Sequence, residues 1–458
     1  MTRLILGPFN RVEGDLEVTL DVSDGVVADA RVTAPMYRGF ERILHGRPAA
    51  DALVIAPRIC GICSVSQSVA AARALAAVSG AEAPPNGRLA ADLVLACENA
   101  ADHLTHFVLF FMPDFARACY AARPWFEEAR RRFAAGDGEA GRRLIPARAR
   151  FLHLMGLLAG KWPHSLALQP GGTTKAVDSG ERMRLLSILA EFREALEAEL
   201  YGGRLEAVAA LAAPDWTGGD LGLFLRIARD LGLDRLGRGP GAFLSHGSFD
   251  LFPAGAVVDG RWRALDAATV TEDLSHSWMA TADLPDADKP AAYSWCKAPR
   301  LDGRVVETGA LARQVVAGDP LALALVAESG GTVRDRVLMR LVELARLVVA
   351  MEGWARALEP GQPFCAGPPH PPRGTAAGLV EAARGALGHW LRVADGAIAS
   401  YAIVAPTTWN FSPRDAAGTP GALEQALAGT PIPAGDRNPV AVQHVVRSFD
   451  PCMACTVH

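Results

Sequence analysis

Hydrophobic and polar residues alternate over two short runs near the N-terminus, 16–22 (LEVTLDV) and 26–34 (VVADARVTA), with Ser23-Asp24-Gly25 between them. Period-two alternation on either side of an Asp-Gly pair predicts an antiparallel hairpin with its turn at Asp24-Gly25. From about residue 49 the period becomes helical. Residues 65–79 and 88–112 are rich in Ala and Leu, and the second run carries few polar residues on any face, as a core helix would. Leu185, Ile188, Phe192 and Leu196 form one stripe over 184–200, and Val337, Leu341, Leu344 and Val348 form another over 333–352. Long helices of this kind predict a central bundle. Between them lie Gly/Pro-rich connections at 233–262 and 359–374. Residues 374–396 read as a further helix, and SYAIVAPTTWNFSP after them as a strand running into a turn. The expectation is a mainly α (α+β) chain forming one domain, 1–458. Within it are a small β-containing lobe (1–50), a helical core with irregular insertions (51–400) and a C-terminal segment (401–458).

Composition narrows the function classes. Half of the 458 residues are hydrophobic and 21% are charged, the profile of a chain with a large core. The net charge is −4 with no basic patch, which argues against nucleic acid or an anionic membrane as partner. Only four lysines occur (161, 175, 289 and 297), none in a GK[ST] setting, so a P-loop is excluded. The N-terminus lacks the apolar run of a secretion signal, and no stretch of about 20 apolar residues predicts a membrane span. Of eight cysteines, four fall in two CxxC pairs, which points to metal or redox chemistry in a reducing compartment and hence to the cytoplasm.

The pairs are Cys60/Cys63 and Cys452/Cys455. Spacing of i, i+3 puts two thiolates on one side of a helical turn, about 5–6 Å apart at Cβ. Four soft thiolates suit zinc, iron–sulfur or another thiophilic metal, and do not suit Mg or Ca. A structural zinc site with four cysteine ligands satisfies the spacing equally well.

The flanking residues separate these readings. Arg58-Ile59-Cys60-Gly61-Ile62-Cys63 and Asp450-Pro451-Cys452-Met453-Ala454-Cys455-Thr456-Val457-His458 resemble the two signature motifs of the large subunit of nickel–iron hydrogenases. The resemblance runs along the chain through Arg11-Val12-Glu13-Gly14, Arg38-Gly39-Phe40-Glu41, Asp102-His103-Leu104-Thr105-His106-Phe107, Tyr293 to Arg300, Glu381 to Gly385 and Pro406 to Asn410. It implies that Cys60 and Cys452 are terminal nickel ligands, and that Cys63 and Cys455 bridge nickel to an iron carrying carbon monoxide and cyanide. By the same resemblance Arg384 stands over the open metal position, Thr407 bonds a cyanide, and Asp102 and Asp450 surround the arginine. Glu13 is the matching proton-relay carboxylate. Glu41, the carbonyl of Ile403 and the terminal His458 would hold a magnesium (or iron) ion that orders the C-terminal turn. The implied reaction is reversible splitting of H2 into protons and electrons. Its electrons require iron–sulfur clusters in a separate small subunit, since no further cysteine cluster remains here.

Three departures bear on the subgroup. Gln67 stands where most members have histidine, and Asp15 where many do. The chain stops at His458, where the family precursor carries a removable extension. Ile62 and Phe110 fall where the gas channel narrows, at positions usually held by smaller residues. The regulatory, H2-sensing subgroup is made without the extension and carries Ile and Phe in the channel, its insensitivity to oxygen has been rationalised by the narrowing, and it would add a histidine kinase and a dimer of heterodimers. The expectation is therefore a sensor. The alternatives are a catabolic uptake hydrogenase in processed form, membrane-associated through a partner, a quinone-pocket subunit of the respiratory complex I type, and a zinc-stabilised interaction protein.

Overall fold

The computed structural model describes residues 2–367 and 373–456. An N-terminal antiparallel sheet joins β1 (Thr2–Leu6), β2 (Glu17–Ser23) and β3 (Val26–Thr33) in that order. The β2–β3 turn is the expected Asp24-Gly25, and both residues take the positive φ (53° and 76°) that a tight two-residue hairpin turn demands.

The helical centre follows: α1 (Ser64–Ser79), α2 (Pro85–Thr105), continued by a π-helical turn over His106–Phe111, and α3 (Ser179–Ala195). After the hairpin of β4 (Phe243–Ser248) and β5 (Phe252–Val258) come α4 (Ala310–Val316) and the long α5 (Val333–Ala357), which packs against α2 and α3. The predicted stripe residues Leu185, Ile188, Phe192, Val337, Leu341, Leu344 and Val348 are all buried. The chain is α+β, and its helices supply most of one continuous core.

Two segments hold more strand than the sequence pattern suggests. The 233–262 segment contains β4 and β5. The helix expected over 374–396 is instead a β-hairpin, β6 (Gly374–Ala382) and β7 (Gly385–Ala394), completed by β8 (Ala397–Val404). Alanine and leucine suggested a helix, but tertiary contact decides otherwise. Helix α1 lies directly on this sheet, so closely that a Cβ on Gly378 would stand 1.9 Å from the carbonyl of Ala70. Only glycine admits that approach, which is the meaning of a glycine inside a strand. Three short helices close the chain, α6 (Pro406–Asn410), α7 (Ala422–Leu427) and α8 (Val440–Ser448).

Candidate metal centre

The two CxxC pairs, nearly 400 residues apart in sequence, meet. Cys60–Cys63 occupies the turn that enters α1, and Cys452–Cys455 the single 3-10 turn after α8. All four sulfurs lie within 4.8 Å of one another, and all four residues are buried. Cys60 Sγ is 3.4 Å from Cys452 Sγ, while Cys455 Sγ is 3.1 Å from both Cys63 and Cys452. Hydrogen bonding, first with Cys452, holds the Cys60 thiol well below its usual range and pushes Cys63 and Cys455 well above theirs. Sulfurs this close cannot all ionise without a cation between them, so the donor set fits a thiophilic metal centre. Among the described residues no second group of His, Cys, Asp or Glu is placed to hold an ion.

Main-chain contacts bring the chain ends together. The Met453 N–H donates to the Glu13 carbonyl at 2.7 Å, and Glu13 bridges to Cys452 in parallel β fashion. Gly14 makes this possible: its φ is +77°, and a Cβ there would stand 2.9 Å from the Ala454 nitrogen. Arg38 spans the two motifs, donating to the Ile59 carbonyl (2.6 Å) and to the Ala454 carbonyl. Glu98 does similar work beneath Cys63, where its carboxylate accepts the Val65 and Ser66 N–H groups (2.8 and 2.9 Å) at the start of α1. Sequence reasoning missed both roles. The only signal for Glu98 was a carboxylate interrupting an apolar helix.

Arg384 sits on the turn between β6 and β7 and is buried. Its guanidinium ion-pairs with Asp102 (Nη1–Oδ2 2.8 Å) and Asp450 (Nη2–Oδ1 3.2 Å), and its Nε donates to the Asp450 carbonyl at 3.0 Å. Burial disfavours the charge, but Asp102 and Asp450, with Cys452 and Cys63 beyond them, hold it well above the ordinary arginine range. The carboxylates diverge. Burial pushes Asp102 up to about 6 against the pull of Arg384, whereas for Asp450 burial is outweighed by Arg384, His106 and Arg340, and the carboxyl sits low. Thr407 accepts the Cys452 N–H at 3.1 Å, which leaves its own O–H to donate. Half-buried Glu13 is raised by burial first and then by Cys60, with Arg384 and Arg38 opposing.

The remaining expected residues lie farther out. Ile62, half-buried beside exposed Gly61, marks where the centre approaches the surface, and half-buried Phe110 offers its carbonyl to Arg11 at 3.1 Å. Glu41 and Ile403 do meet, but through the Ile403 N–H (2.8 Å), and Lys297 Nζ stands 2.9 Å from the same carboxylate. His458 lies outside the described residues. Gln67 accepts from His389 Nε2 at 2.7 Å, while the other ring nitrogen of His389 meets the Tyr401 hydroxyl at 2.8 Å. A cleft of about 860 Å³ is bordered by Arg73, Asp92, Ser248 and Trp354 and includes none of the four cysteines.

Residues 38–123 and 144–458 match the family described as nickel-dependent hydrogenase. The chain is 29% identical to the periplasmic NiFeSe hydrogenase large subunit of Desulfomicrobium baculatum, covering 100% of this chain and 95% of the relative. It is 26% identical both to the uptake hydrogenase large subunit of Cupriavidus necator (100% and 95% covered) and to the hydrogenase-2 large chain of Escherichia coli K12 (100% and 97%). Among solved structures, the Ni-Fe-Se hydrogenase from D. vulgaris Hildenborough in the reduced state superposes with a TM-score of 0.85 at 29% identity, with 100% of each chain covered.

Proposed function

We infer the function from one premise: this chain belongs to the nickel-dependent hydrogenase family and is the large subunit of a hydrogenase. Within that family we propose a catabolic, H2-oxidising uptake enzyme with a nickel–iron centre on Cys60, Cys63, Cys452 and Cys455. The observation that carries this reading is the convergence of four buried sulfurs beside a guanidinium clamped by two carboxylates. A structural zinc site has no use for Arg384, Asp102 and Asp450. All four positions are cysteine, so the selenium in the names of some relatives belongs to those proteins.

When bound, nickel and iron supply the site at which H2 is polarised and its electrons drawn off. The chain's own part is positional and protonic. Arg384, permanently charged and desolvated, presents donors toward the sulfur face, and Asp102 and Asp450 fix its plane. Carbon monoxide and cyanide on iron would find donors in Arg384 and in the Thr407 hydroxyl. Glu13, beside Cys452 and at the border with solvent, is the carboxylate placed to take a proton outward. A magnesium or iron ion at Glu41 would need His458 and the Ile403 carbonyl, and it would compete with Lys297 for the carboxylate. Electrons would need iron–sulfur clusters in a partner small subunit, because the four paired cysteines here are taken up by the metal centre.

The uptake role is favoured over the sensor. Several relatives that match along the whole chain are uptake or periplasmic enzymes by name, and none of those names points to a histidine kinase partner or oxygen tolerance. Ile62, Phe110 and Gln67 remain the features a sensor shares. One relative is periplasmic by name, so the cysteines do not decide the compartment, because metal-bound thiolates serve in either. The test is the rate of H2 oxidation by the purified heterodimer with an artificial acceptor. Turnover on the order of 10² s⁻¹ fits uptake, and a rate below about 1 s⁻¹ overturns it in favour of sensing.

A further inference from the structure

A closed circuit of buried charged and polar groups runs through Arg384 and Asp450. Arg313 on α4 holds both oxygens of Glu343 on α5 (Nε–Oε2 2.7 Å, Nη2–Oε1 2.6 Å). Its remaining donors reach the Glu381 carboxylate (2.6 Å) and the carbonyls of Ala382 and Ala383 (3.0 and 3.1 Å). Those are the three residues immediately before Arg384, so Arg313 grips the turn that carries it.

The circuit then runs the other way round. Glu343 Oε1 is 3.0 Å from His103 Nε2, and His103 Nδ1 is 3.5 Å from Arg340 Nη1. A carboxylate only accepts and a guanidinium only donates, so His103 must carry its proton on Nε2 and a lone pair on Nδ1. It is a neutral spacer whose orientation its two neighbours dictate, and burial lowers its proton affinity accordingly. Arg340 next donates to Asp450 Oδ2 (3.1 Å) and to the Phe449 carbonyl (3.4 Å). Asp450 Oδ1 accepts from Arg384, and the circuit closes. Asp450 is held at a φ of +55°, a left-handed conformation that aspartate adopts more readily than most residues and that sets the chain's entry into Pro451 and Cys452.

Arg313, Glu343, His103 and Arg340 are all buried. Ion pairs this deep return little net stability over apolar replacements of the same shape, so stability alone does not explain four of them in sequence. What the circuit does is fix two things at once: the turn bearing Arg384 and the carboxylate that orients its guanidinium. We propose that Arg340 and His103, braced by Glu343 and Arg313, are positioning residues for Arg384 and Asp450. The proposal rests on the hydrogenase reading for its functional consequence, but not for its structural one.

The experiment compares Arg340→Lys, His103→Leu and His103→Gln in the purified heterodimer. Lysine keeps the charge but loses the fork, and leucine breaks the circuit. Glutamine can donate to Glu343 and accept from Arg340 as the neutral imidazole does. Two readouts are taken. The first is amide hydrogen–deuterium exchange over 449–453 in that heterodimer, expected to speed up about tenfold in Arg340→Lys and His103→Leu and to stay near wild type in His103→Gln. The second is kcat per bound nickel, expected to fall about 10- to 100-fold in the first two variants at unchanged KM for H2, with glutamine recovering most of it. Arg132→Lys, which breaks a remote buried pair with Asp220, controls for general destabilisation and should lower only the thermal midpoint. Unchanged exchange in both disruptive variants, or leucine and glutamine behaving alike, would overturn the proposal. A wild-type heterodimer inert toward H2 would instead overturn the hydrogenase reading, and the exchange data would still decide the positioning role.

Discussion

Glu13 shows how much one side chain depends on its backbone. Its main chain is locked to the Cys452 turn, so its carboxyl cannot drift from the sulfurs, and Gly14 next to it is the residue that lets the two chain ends touch. Replacing Glu13 with Gln preserves shape and hydrogen-bonding capacity but removes the exchangeable acid. The expected result is a heterodimer with normal nickel and iron content whose H2/D2 exchange is slowed by roughly 10²-fold, measured by mass spectrometry of the headspace gas. An unchanged exchange rate would take Glu13 out of the proton path. At this scale the cysteines, Arg384, Asp102, Asp450 and Glu13 were legible because each sits in a short run of distinctive residues. Glu98, Arg38, Arg313 and Glu343 were not. Their roles rest on partners 20 or more residues away, which a lone charged residue does not name.

At the scale of elements, local composition misled where glycine was doing the packing. The 374–396 segment reads as helix by its alanines and leucines, yet Gly378 is there to seat α1 on β6. The N-terminal hairpin, by contrast, was legible to the turn, because Asp-Gly chemistry is local. Element docking also carries a pH signature. Glu424 on α7 accepts from the Tyr293 hydroxyl (2.7 Å) and from the Val32 N–H of β3 (3.0 Å), tying the C-terminal helices to the first sheet. Burial pushes its carboxyl up to about 7 despite those donors. A raised carboxyl contributes stability that is complete below about 4.5 and is lost as pH rises through about 7, here about 3 kcal/mol at most. Thermal midpoints recorded between pH 4.5 and 8 should therefore fall more steeply for the wild type than for Glu424→Gln. Parallel curves would show that the carboxyl is not strained by burial.

For the whole molecule, the fold solves one problem: it brings residues 60–63 and 452–455, from opposite ends of the chain, to one buried point beneath a turn from a third region. The sequence named those three regions but could not show their meeting, because nothing in a CxxC pair says which other pair it faces. The β-rich middle, with two hairpins flanking α4 and α5, was the least legible part, and it is the part that carries Arg384 into place. The central claim is that the meeting point holds a nickel–iron pair and not zinc. An infrared spectrum of the chain purified with its small subunit, recorded under argon and then under H2, tests it most directly. A nickel–iron centre gives bands of metal-bound carbon monoxide and cyanide that shift when H2 is admitted. A featureless spectrum in that region, from a protein carrying one zinc per chain, would contradict it.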